Sequence, residues 1–531
     1  MSTEDINKVV VTLKKGVDVD AFMEEMASIG NTTSFVPHRA IEVYNEKPES
    51  LRNVDFVMTR AEADLLRQDP RVEGVRYGSK KDNGIERKLF SLDSDRLYTR
   101  TGTNTWATGN VDMNWGVPQT NSRTNLYSPS ISEVNYEWPF TLTGKGVDFV
   151  IQDSGLQVDH PEFTNQLGVS RVQQVNWYTL TGFSGTMPPN FYTDVDGHGT
   201  HVCSDAVGKT YGWAKEADIY VMNILGGNAN SRIPTTLSFN MLRVWHENKS
   251  ITSTGYKRPT VVNMSWGYNA PVSAVTGGVY RGVPWSGSGV NNSRGVVNNG
   301  SGQIPYIDAA EEADVSDCLD AGVILIAASG NSSYKIDVPG GIDYNNTVNF
   351  GQFGITGAPY MRGSSPNPNT RIIKVGAVAV QRSPEVKVWF SCTGPGVGVY
   401  VAGDVVVGAC STVTEYSGDA VAYPFNSAFK SVKISGTSMA SPQVAGLVTC
   451  LLQSRPWYDS ERIKNWVYDN ATTNRLTNTG GGYTDFNSLQ GGPNRYLYNP
   501  WSGQYPTVIE HTEPAKIDED PQYTGQLNGK F

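Results

Sequence analysis

The sequence predicts an α/β domain with a mostly parallel central sheet, preceded by a small α/β unit. Apolar runs that suit buried strands alternate with helical patterns after Trp115. A polar, charged stretch with little apolar periodicity separates them from a shorter set of strands and helices near the N-terminus. A hydrophobic fraction of 38% over 531 residues is enough for the core of a large globular domain, with a further segment attached to it.

The N-terminal unit is predicted to span residues 1–80. Its expected elements are a strand at 9–13, a helix at 20–29, a strand at 56–58 and a charged helix at 59–68. The last segment assigned to the unit is 69–75. Residues 81–112 are polar and charged, so we expect a linker and processing region there.

The large domain is predicted to span residues 113–500. Its candidate strands are the apolar runs at 147–151, 219–225, 260–265, 323–328 and 372–380. Continuous apolar strands separated by helices are typical of a parallel sheet that is covered on both faces. Residues 501–531 carry no such pattern, and we expect a poorly ordered tail.

Composition narrows the classes of partner. The 43 basic residues against 52 acidic ones give a net charge of −9, so we expect no basic face for nucleic acid or an anionic membrane. No apolar run reaches the ~18 residues that span a bilayer, and the N-terminus lacks the features of a signal peptide. The five cysteines lack a CxxC pair, which favours free, buried thiols over a zinc site or a disulfide framework.

Asp153 follows the apolar run 147–151 and precedes a turn at Ser154 and Gly155. A carboxylate in that place lies at the ligand-binding edge of a parallel sheet. A single Asp after a strand is more often a turn or cap residue. Asp153 therefore matters only together with the two segments that follow.

His198 lies in Asp196-Gly-His-Gly-Thr-His-Val, where glycines flank the imidazole at the start of a helical pattern. These small neighbours leave room around the ring. His198 and His201 would also suit a metal on one helix face, but neither the nearby sequence nor the cysteine spacing supplies a third ligand. We therefore assign no metal-binding residues.

Ser438 lies in Ser435-Gly-Thr-Ser-Met-Ala-Ser-Pro442, a small-residue turn that leads into an apolar helix with proline in its first turn. A structural N-cap is the ordinary role of a serine there. The three segments together favour a different role. A serine hydroxyl becomes a nucleophile when an imidazole takes its proton and a carboxylate fixes the tautomer of that imidazole.

These segments resemble the three active-site signatures of the subtilase family, especially its proteinase K-like branch. Their order along the chain, Asp then His then Ser, is that of subtilisin. Two places depart from the family pattern: Gln443 stands where histidine is usual, and Cys203-Ser204-Asp205 replaces a small Ala-Gly-Thr. The resemblance covers about residues 8–78 and 113–500, and it implies a subtilisin-like three-layer domain.

The resemblance also implies site residues. Asp153, His198 and Ser438 would form a catalytic triad, and Asn331 would stabilise the oxyanion together with the Ser438 backbone N–H. The implied substrate-binding residues are Ser265, Trp266 and Gly267 on one strand and Ala328, Ser329 and Gly330 on another. We expect Trp266 to make the specificity pocket shallower than usual.

The N-terminal unit resembles the inhibitory propeptide of these proteases through Asp69-Pro-Arg-Val72 and the helix before it. The chain's own N-terminal segment would then be an intramolecular inhibitor, with the junction between Gly78 and Asp112. An independent small α/β domain is the alternative.

Residues 268–307 form a longer stretch than the family needs between its substrate strand and the next helix. We expect a loop near the cleft that narrows substrate choice or docks the enzyme onto a larger assembly, with ordinary surface decoration as the alternative. Family members often bind structural calcium, but no segment here resembles a calcium motif closely enough to assign ligands. Catalysis itself needs no cofactor.

The sequence therefore predicts a serine endopeptidase that hydrolyses a protein or peptide substrate through an acyl-enzyme on Ser438 and is made as a self-processing precursor. The alternative is a scaffold or assembly protein whose subtilase domain cuts only itself or is inactive. Family members with a propeptide are usually secreted, yet no signal peptide is visible. An intracellular enzyme, a virion-associated enzyme and a precursor delivered another way all fit, so the compartment stays open.

Overall fold

The computed structural model describes residues 7–28, 40–44, 50–77, 86–89, 92–93, 101–102, 111–112, 114–126, 142–227, 231–253, 255–298, 301–380, 384–413, 420–478 and 482–500. The predicted tail at 501–531 lies outside these residues. None of the helices in these ranges is long and apolar enough to cross a membrane.

The N-terminal unit is a four-stranded antiparallel sheet with two helices, and the strands and helices predicted for it are confirmed. Its elements are β1 (Asn7–Leu13), α1 (Val19–Ala27), β2 (Glu42–Val43), β3 (Asn53–Met58), α2 (Arg60–Leu66) and β4 (Val72–Tyr77), with sheet order β2-β3-β1-β4. Alternate residues of β3 are buried, and they pack with Phe22 and Leu66 from the helices. The unit therefore has a hydrophobic core of its own.

Short elements connect this unit to the large domain. They are β5 (Glu86–Leu89), β6 (Leu92–Asp93), β7 (Thr101–Gly102), β8 (Val111–Asp112) and α3 (Gly116–Thr120). β7 pairs with β8, whereas β5 and β6 each pair with a strand of the large domain. Part of the stretch that we expected to be a linker thus belongs to sheets of the large domain.

The large domain alternates strands and helices along the chain. Its elements are β9 (Asp148–Asp153), β10 (Val172–Gln173), α4 (Trp177–Thr181), α5 (His198–Val207), β11 (Asp218–Asn223), α6 (Thr235–Glu247), β12 (Thr260–Met264), β13 (Trp266–Pro271), β14 (Val275–Tyr280), β15 (Val283–Ser286), β16 (Gln303–Pro305), α7 (Ala309–Asp320), β17 (Ile324–Ala328), β18 (Thr347–Phe350), β19 (Ile355–Pro359), β20 (Ile373–Val378), β21 (Val399–Ala402), β22 (Val406–Cys410), β23 (Val421–Ala422), β24 (Lys430–Ser435), α8 (Thr437–Ser454), α9 (Ser460–Asn470), β25 (Thr472–Thr473) and β26 (Arg495–Tyr496).

The central sheet has nine strands in the order β10-β11-β9-β12-β17-β20-β21-β26-β25. Neighbouring strands are parallel from β10 to β26, and only β25 joins the sheet antiparallel. The five apolar runs from the sequence are β9, β11, β12, β17 and β20. The prediction of a mostly parallel central sheet is therefore confirmed.

Helices cover both faces of this sheet, so the domain has three layers. Phe149 and Ile151 of β9 pack with residues of α5 and α8, such as Val202 and Val444. Val150, between them, faces the other way and packs with residues of α6 and α7. Every residue of β9 is consequently buried, as in a parallel sheet covered on both sides.

The stretch 268–307 is not a loop, and our expectation of one was wrong. Nearly half of its described residues lie in strands: β13 continues to Pro271, β14 and β15 form a hairpin, and β16 pairs with β13. Arg281 and Gly282 make the two-residue turn of the hairpin with φ values of 48° and 79°, which suit the twist of the flanking strands. β18 and β19 complete a separate four-stranded sheet with this hairpin.

Candidate active site

Asp153 and His198 form a buried pair at the carboxyl end of β9. Both side chains have 0% exposure, and His198 Nδ1 lies 2.7 Å from Asp153 Oδ1. Nε2 of His198 has no hydrogen-bond partner among the described residues. Burial alone would lower the pKa of His198, but the charge and hydrogen bond of Asp153, with Asp196 and Asp194 nearby, raise that pKa above its usual value.

Glycines place His198 against the end of β9. Gly197 precedes α5 with φ of 93°, a left-handed conformation that favours glycine. A Cβ on Gly199 would lie 2.2 Å from the carbonyl oxygen of Gly155, so a larger residue cannot fit there. The predicted need for small neighbours around His198 thus has a steric basis.

Asp194 connects the end of β9, which carries Asp153, to the start of α5, which carries His198. Sequence reasoning missed this residue. Its carboxylate accepts hydrogen bonds from the Ser154 hydroxyl at 2.9 Å, the Gly197 amide at 2.8 Å and the Thr200 amide at 2.8 Å. It is fully buried. Its position could have suggested this role, because Asp194 lies two residues before the histidine motif and ahead of a glycine at a helix start.

Ser438 is the second residue of α8, and it faces the residue that precedes β13. Its hydroxyl donates to the Ser265 carbonyl oxygen at 3.0 Å, and the Ser265 hydroxyl donates to the Ser438 carbonyl oxygen at 2.9 Å. In the structure Ser438 Oγ therefore bonds to Ser265 rather than to His198.

Pro442 explains why the Ser265 hydroxyl donates to the Ser438 carbonyl oxygen. We expected proline in the first turn of the helix, but α8 begins at Thr437, so Pro442 is its sixth residue. A proline has no N–H to donate to the carbonyl four residues earlier, which is that of Ser438. The Ser265 hydroxyl takes the place of this missing donor.

Asn331 is oriented by the residue before Ser438. Asn331 Oδ1 accepts hydrogen bonds from the Thr437 amide at 2.9 Å and the Thr437 hydroxyl at 2.8 Å. Because Oδ1 is engaged, Nδ2 points away from Thr437, and within the described ranges it has no acceptor. An amide donor without an acceptor, close to Ser438, suits the oxyanion-stabilising role that we expect of Asn331.

The two predicted substrate strands have different partners. β13 pairs with β5 in antiparallel register, with Leu89 opposite Trp266 and Lys88 opposite Gly267. Trp266 itself is fully buried, with its ring against Phe239.

On the other strand, the Ala328 carbonyl oxygen accepts from Asn367, the Ser329 amide donates to Val375 and the Gly330 amide donates to Thr437. The structure thus brings a chain segment to β13, while the substrate-binding role of 328–330 and the shallow pocket remain predictions.

The N-terminal unit contacts helix α7 through side chains of opposite charge. Arg52 Nε lies 3.1 Å from Asp317 Oδ2, and Arg76 Nη1 lies 3.1 Å from Asp308 Oδ2. Ser50 and Asn53 also donate to Asp314. The acidic face of α7 is therefore covered by the N-terminal unit.

No group of three or more histidine, cysteine or acidic side chains arranged to hold a metal occurs in the part of the chain that the structure describes. His201, the second histidine of the motif, faces Asp205 at 3.1 Å. All five cysteines are buried and unpaired.

Comparisons with known proteins find a matching family and several relatives. A model of the subtilase family (peptidase S8) matches residues 144–491. The extracellular serine proteinase of Thermus sp. strain Rt41A is 23% identical over 455 residues, which cover 85% of this chain and 76% of that protein. Alkaline protease 1 of Aspergillus clavatus is 23% identical over 93% of this chain and 91% of its own length.

Other relatives cover less of their own length or are more distant. Subtilisin-like proteinase Spm1 of Pyricularia oryzae is 28% identical over 65% of this chain and 48% of that protein. The crystal structure of a cold-adapted subtilisin-like serine proteinase aligns with 72% of this chain and 97% of its own at 20% identity and a TM-score of 0.44. Fervidolysin from Fervidobacterium pennivorans aligns with 92% and 60% at 15% identity and a TM-score of 0.48.

Proposed function

The chain belongs to the subtilase family and is a serine endopeptidase, and we propose that Asp153, His198 and Ser438 are its catalytic triad. The observation that carries the proposal is the buried 2.7 Å contact from Asp153 to His198 Nδ1, which leaves Nε2 of His198 without a partner among the described residues. A carboxylate on Nδ1 holds the imidazole in the tautomer whose Nε2 can accept a proton.

The reaction is acyl transfer to Ser438 followed by hydrolysis. The Ser438 hydroxyl turns from the Ser265 carbonyl toward His198, gives its proton to Nε2 and attacks the peptide carbonyl carbon. Negative charge then develops on the carbonyl oxygen, where Asn331 Nδ2 and the Ser438 amide can donate hydrogen bonds. His198 passes its proton to the leaving amine, and water hydrolyses the acyl-enzyme by the same route.

A fluorophosphonate probe tests this assignment because it labels only an activated serine. We expect the wild-type chain to label at Ser438 and the Ser438→Ala chain not to label. Ser454→Ala is the matched control, since Ser454 lies on the same helix and its hydroxyl donates to the Leu451 carbonyl oxygen. Labelling of the Ser438→Ala chain, or no labelling of a folded wild type from which the N-terminal unit has been removed, would contradict the triad.

We propose further that the chain cuts itself and that its N-terminal unit is an inhibitor. β5 pairs with β13 next to Ser265, and β6 pairs with β24, with Leu92 opposite Ser435. Ser265 bonds to Ser438, and Ser435 precedes Ser438 by three residues. The chain thus meets the site on both sides of Ser438, as a bound substrate would, which supports a cut between Leu89 and Leu92.

Intact mass and N-terminal sequencing of the purified chain test the cut. We expect a new N-terminus at residue 90, 91 or 92 in the wild type and an uncut chain in Ser438→Ala. The rate should not change with protein concentration, since the substrate is part of the same molecule. A labelled enzyme that keeps its N-terminal unit, or one cut only outside this window, would contradict the proposal.

A further inference from the structure

Helix α5 carries a second buried histidine–carboxylate pair, which the proposed reaction does not use. His201 Nδ1 lies 3.1 Å from Asp205 Oδ2, and both side chains have 0% exposure. Asp205 belongs to Cys203-Ser204-Asp205, the segment that departs from the family pattern. The departure therefore places a carboxylate one helical turn after His201, on the same face.

The other side of the His201 ring joins α5 to two strands. Nε2 of His201 lies 3.1 Å from the Val406 carbonyl oxygen on β22 and 3.2 Å from the Val432 carbonyl oxygen on β24. Carbonyl oxygens only accept, so Nε2 carries the hydrogen. Nδ1 therefore faces the carboxylate of Asp205, whose oxygens have no hydrogen-bond partner among the described residues.

Ser204 also connects α5 to β22. Its hydroxyl donates to the His201 carbonyl oxygen at 2.7 Å and accepts from the Ala409 amide of β22 at 2.8 Å. The contact is tight, because a Cβ on Gly408 would lie 2.8 Å from Ser204 Oγ and 2.9 Å from both Asp205 Oδ1 and His201 Cδ2. A glycine on β22 thus allows the three side chains to approach the strand.

Simple packing does not account for this cluster. A buried ionisable pair is often no more stabilising than well-packed apolar side chains of the same size. Burial raises the pKa of Asp205 to about 6, while His201 and His198 oppose that rise and Glu162 adds to it. The role of the cluster is therefore to be found in the elements that it connects.

We propose that His201, Ser204 and Asp205, which we call the brace, position His198 relative to Ser438. α5 begins at His198, and β24 ends three residues before Ser438. No direct bond sets the distance between these two side chains, since Ser438 Oγ bonds to Ser265 and His198 Nε2 has no partner in the described residues. The brace fixes α5, which begins at His198, relative to β24, the strand that leads into the start of α8 and Ser438.

The proposal rests on the proposed roles of His198 and Ser438, and its members are positioning residues. Misplacing a catalytic pair by a fraction of an ångström slows the reaction without weakening substrate binding. A purely structural role would instead lower stability and leave the rate per active molecule unchanged. The two cases differ in a rate that is measured per folded, labelled site.

The test compares Asp205→Leu and Asp205→Asn in the full chain, after whatever self-processing each chain undergoes. Asparagine can donate from its amide to Nδ1 of His201 and keep the brace, whereas leucine cannot. We expect Asp205→Leu to slow fluorophosphonate labelling of Ser438 about tenfold and to lower kcat with KM unchanged, and Asp205→Asn to stay within about twofold of wild type.

Asp343→Asn is the matched control, because Asp343 is another buried carboxylate that bonds to Arg281 and Lys335 and not to the brace. We expect it to lower the melting temperature and leave the labelling rate unchanged. If Asp205→Leu does not fold, Ser204→Ala, which removes one bond to β22, should slow labelling about threefold.

Wild-type rates in Asp205→Leu, or in Ser204→Ala where that variant is needed, would overturn the brace, as would an Asp205→Asn chain as slow as Asp205→Leu. If the wild type does not label at Ser438, the proposed function fails and the brace fails with it. Labelling of the wild type with equal rates in every variant would reject the brace alone.

Discussion

The proposed catalytic cleft and the face between the N-terminal unit and α7 are held by different kinds of contact. In the cleft, Asp153 and His198 have 0% exposure. On the other face, the side chain of Arg52 is 12% exposed and that of Arg76 is 43% exposed. Water and salt therefore reach Arg76 most, whereas its partner Asp308 is 7% exposed, and they do not reach Asp153 and His198. The buried pair is therefore shielded from solvent, whereas the more exposed end of the docking face suits the release of the N-terminal unit that we propose.

The largest expected effect would come from the core of the cleft. His198→Ala removes the only base in the proposed triad, and we expect the rate of Ser438 labelling to fall by ~10⁶-fold, as removal of the histidine does in subtilisin. The chain should remain uncut. A loss of less than about a hundredfold, with a normal melting temperature, would show that the buried pair is not the centre of the chemistry.

A smaller loss is expected at the oxyanion donor. Asn331→Leu keeps the volume but removes Nδ2, so kcat should fall by about 10² to 10³ while KM changes little. Kinetics on a peptide substrate measure both constants. A rise in KM with unchanged kcat would place Asn331 in substrate binding and not in stabilisation of the oxyanion.

The docking face should give a smaller and salt-dependent effect. Arg52→Ala removes the contact to Asp317 and the hydrogen bond to the Ala313 carbonyl oxygen. We expect the cut N-terminal unit to dissociate about thirtyfold faster, equivalent to ~2 kcal/mol. Lys8→Ala is the control, since its pair with Asp55 lies within the unit. Equal dissociation rates in both variants would mean that this face does not hold the unit.

The smallest effect concerns pH. His198 must be neutral to accept a proton, and its pKa is raised above the usual 6.5 because Asp153, Asp196 and Asp194 outweigh the effect of burial. The labelling rate should therefore be full above this raised pKa and fall as the pH drops through it. Asp196→Asn removes one of these charges and should move the midpoint down by about half a pH unit. An upward shift would contradict the assignment of the acid limb to His198.

Local patterns predicted the parts of the molecule that depend on short segments. The parallel strands were visible as apolar runs, and Asp153, His198 and Ser438 were visible as motifs at strand and helix ends. The contacts of Ser265 and Ser204 were not visible, since each bonds to a partner that lies far away in sequence. Ser265 bonds to a residue 173 positions later, and no local periodicity carries that distance.

The prediction of a loop at residues 268–307 was wrong for a related reason. Its glycines and asparagines suggested a loop, but tertiary pairing with β18 and with β5 turns much of it into strands. Strand formation at such positions depends on neighbours more than on intrinsic preference. The position of Pro442 was also wrong by a helical turn, because the sequence does not show that Ser265 can replace the missing backbone donor.

The bond from Ser265 to the Ser438 carbonyl oxygen also affects how this part of the molecule opens. Helix ends usually fray on their own, because few contacts hold the first turn. Here the first turn of α8 cannot loosen without breaking its bonds to Ser265, at the junction of β12 and β13. These segments should open as one cooperative unit, with slow hydrogen exchange at the helix start, so that the proposed nucleophile lies in one of the last regions of the domain to unfold.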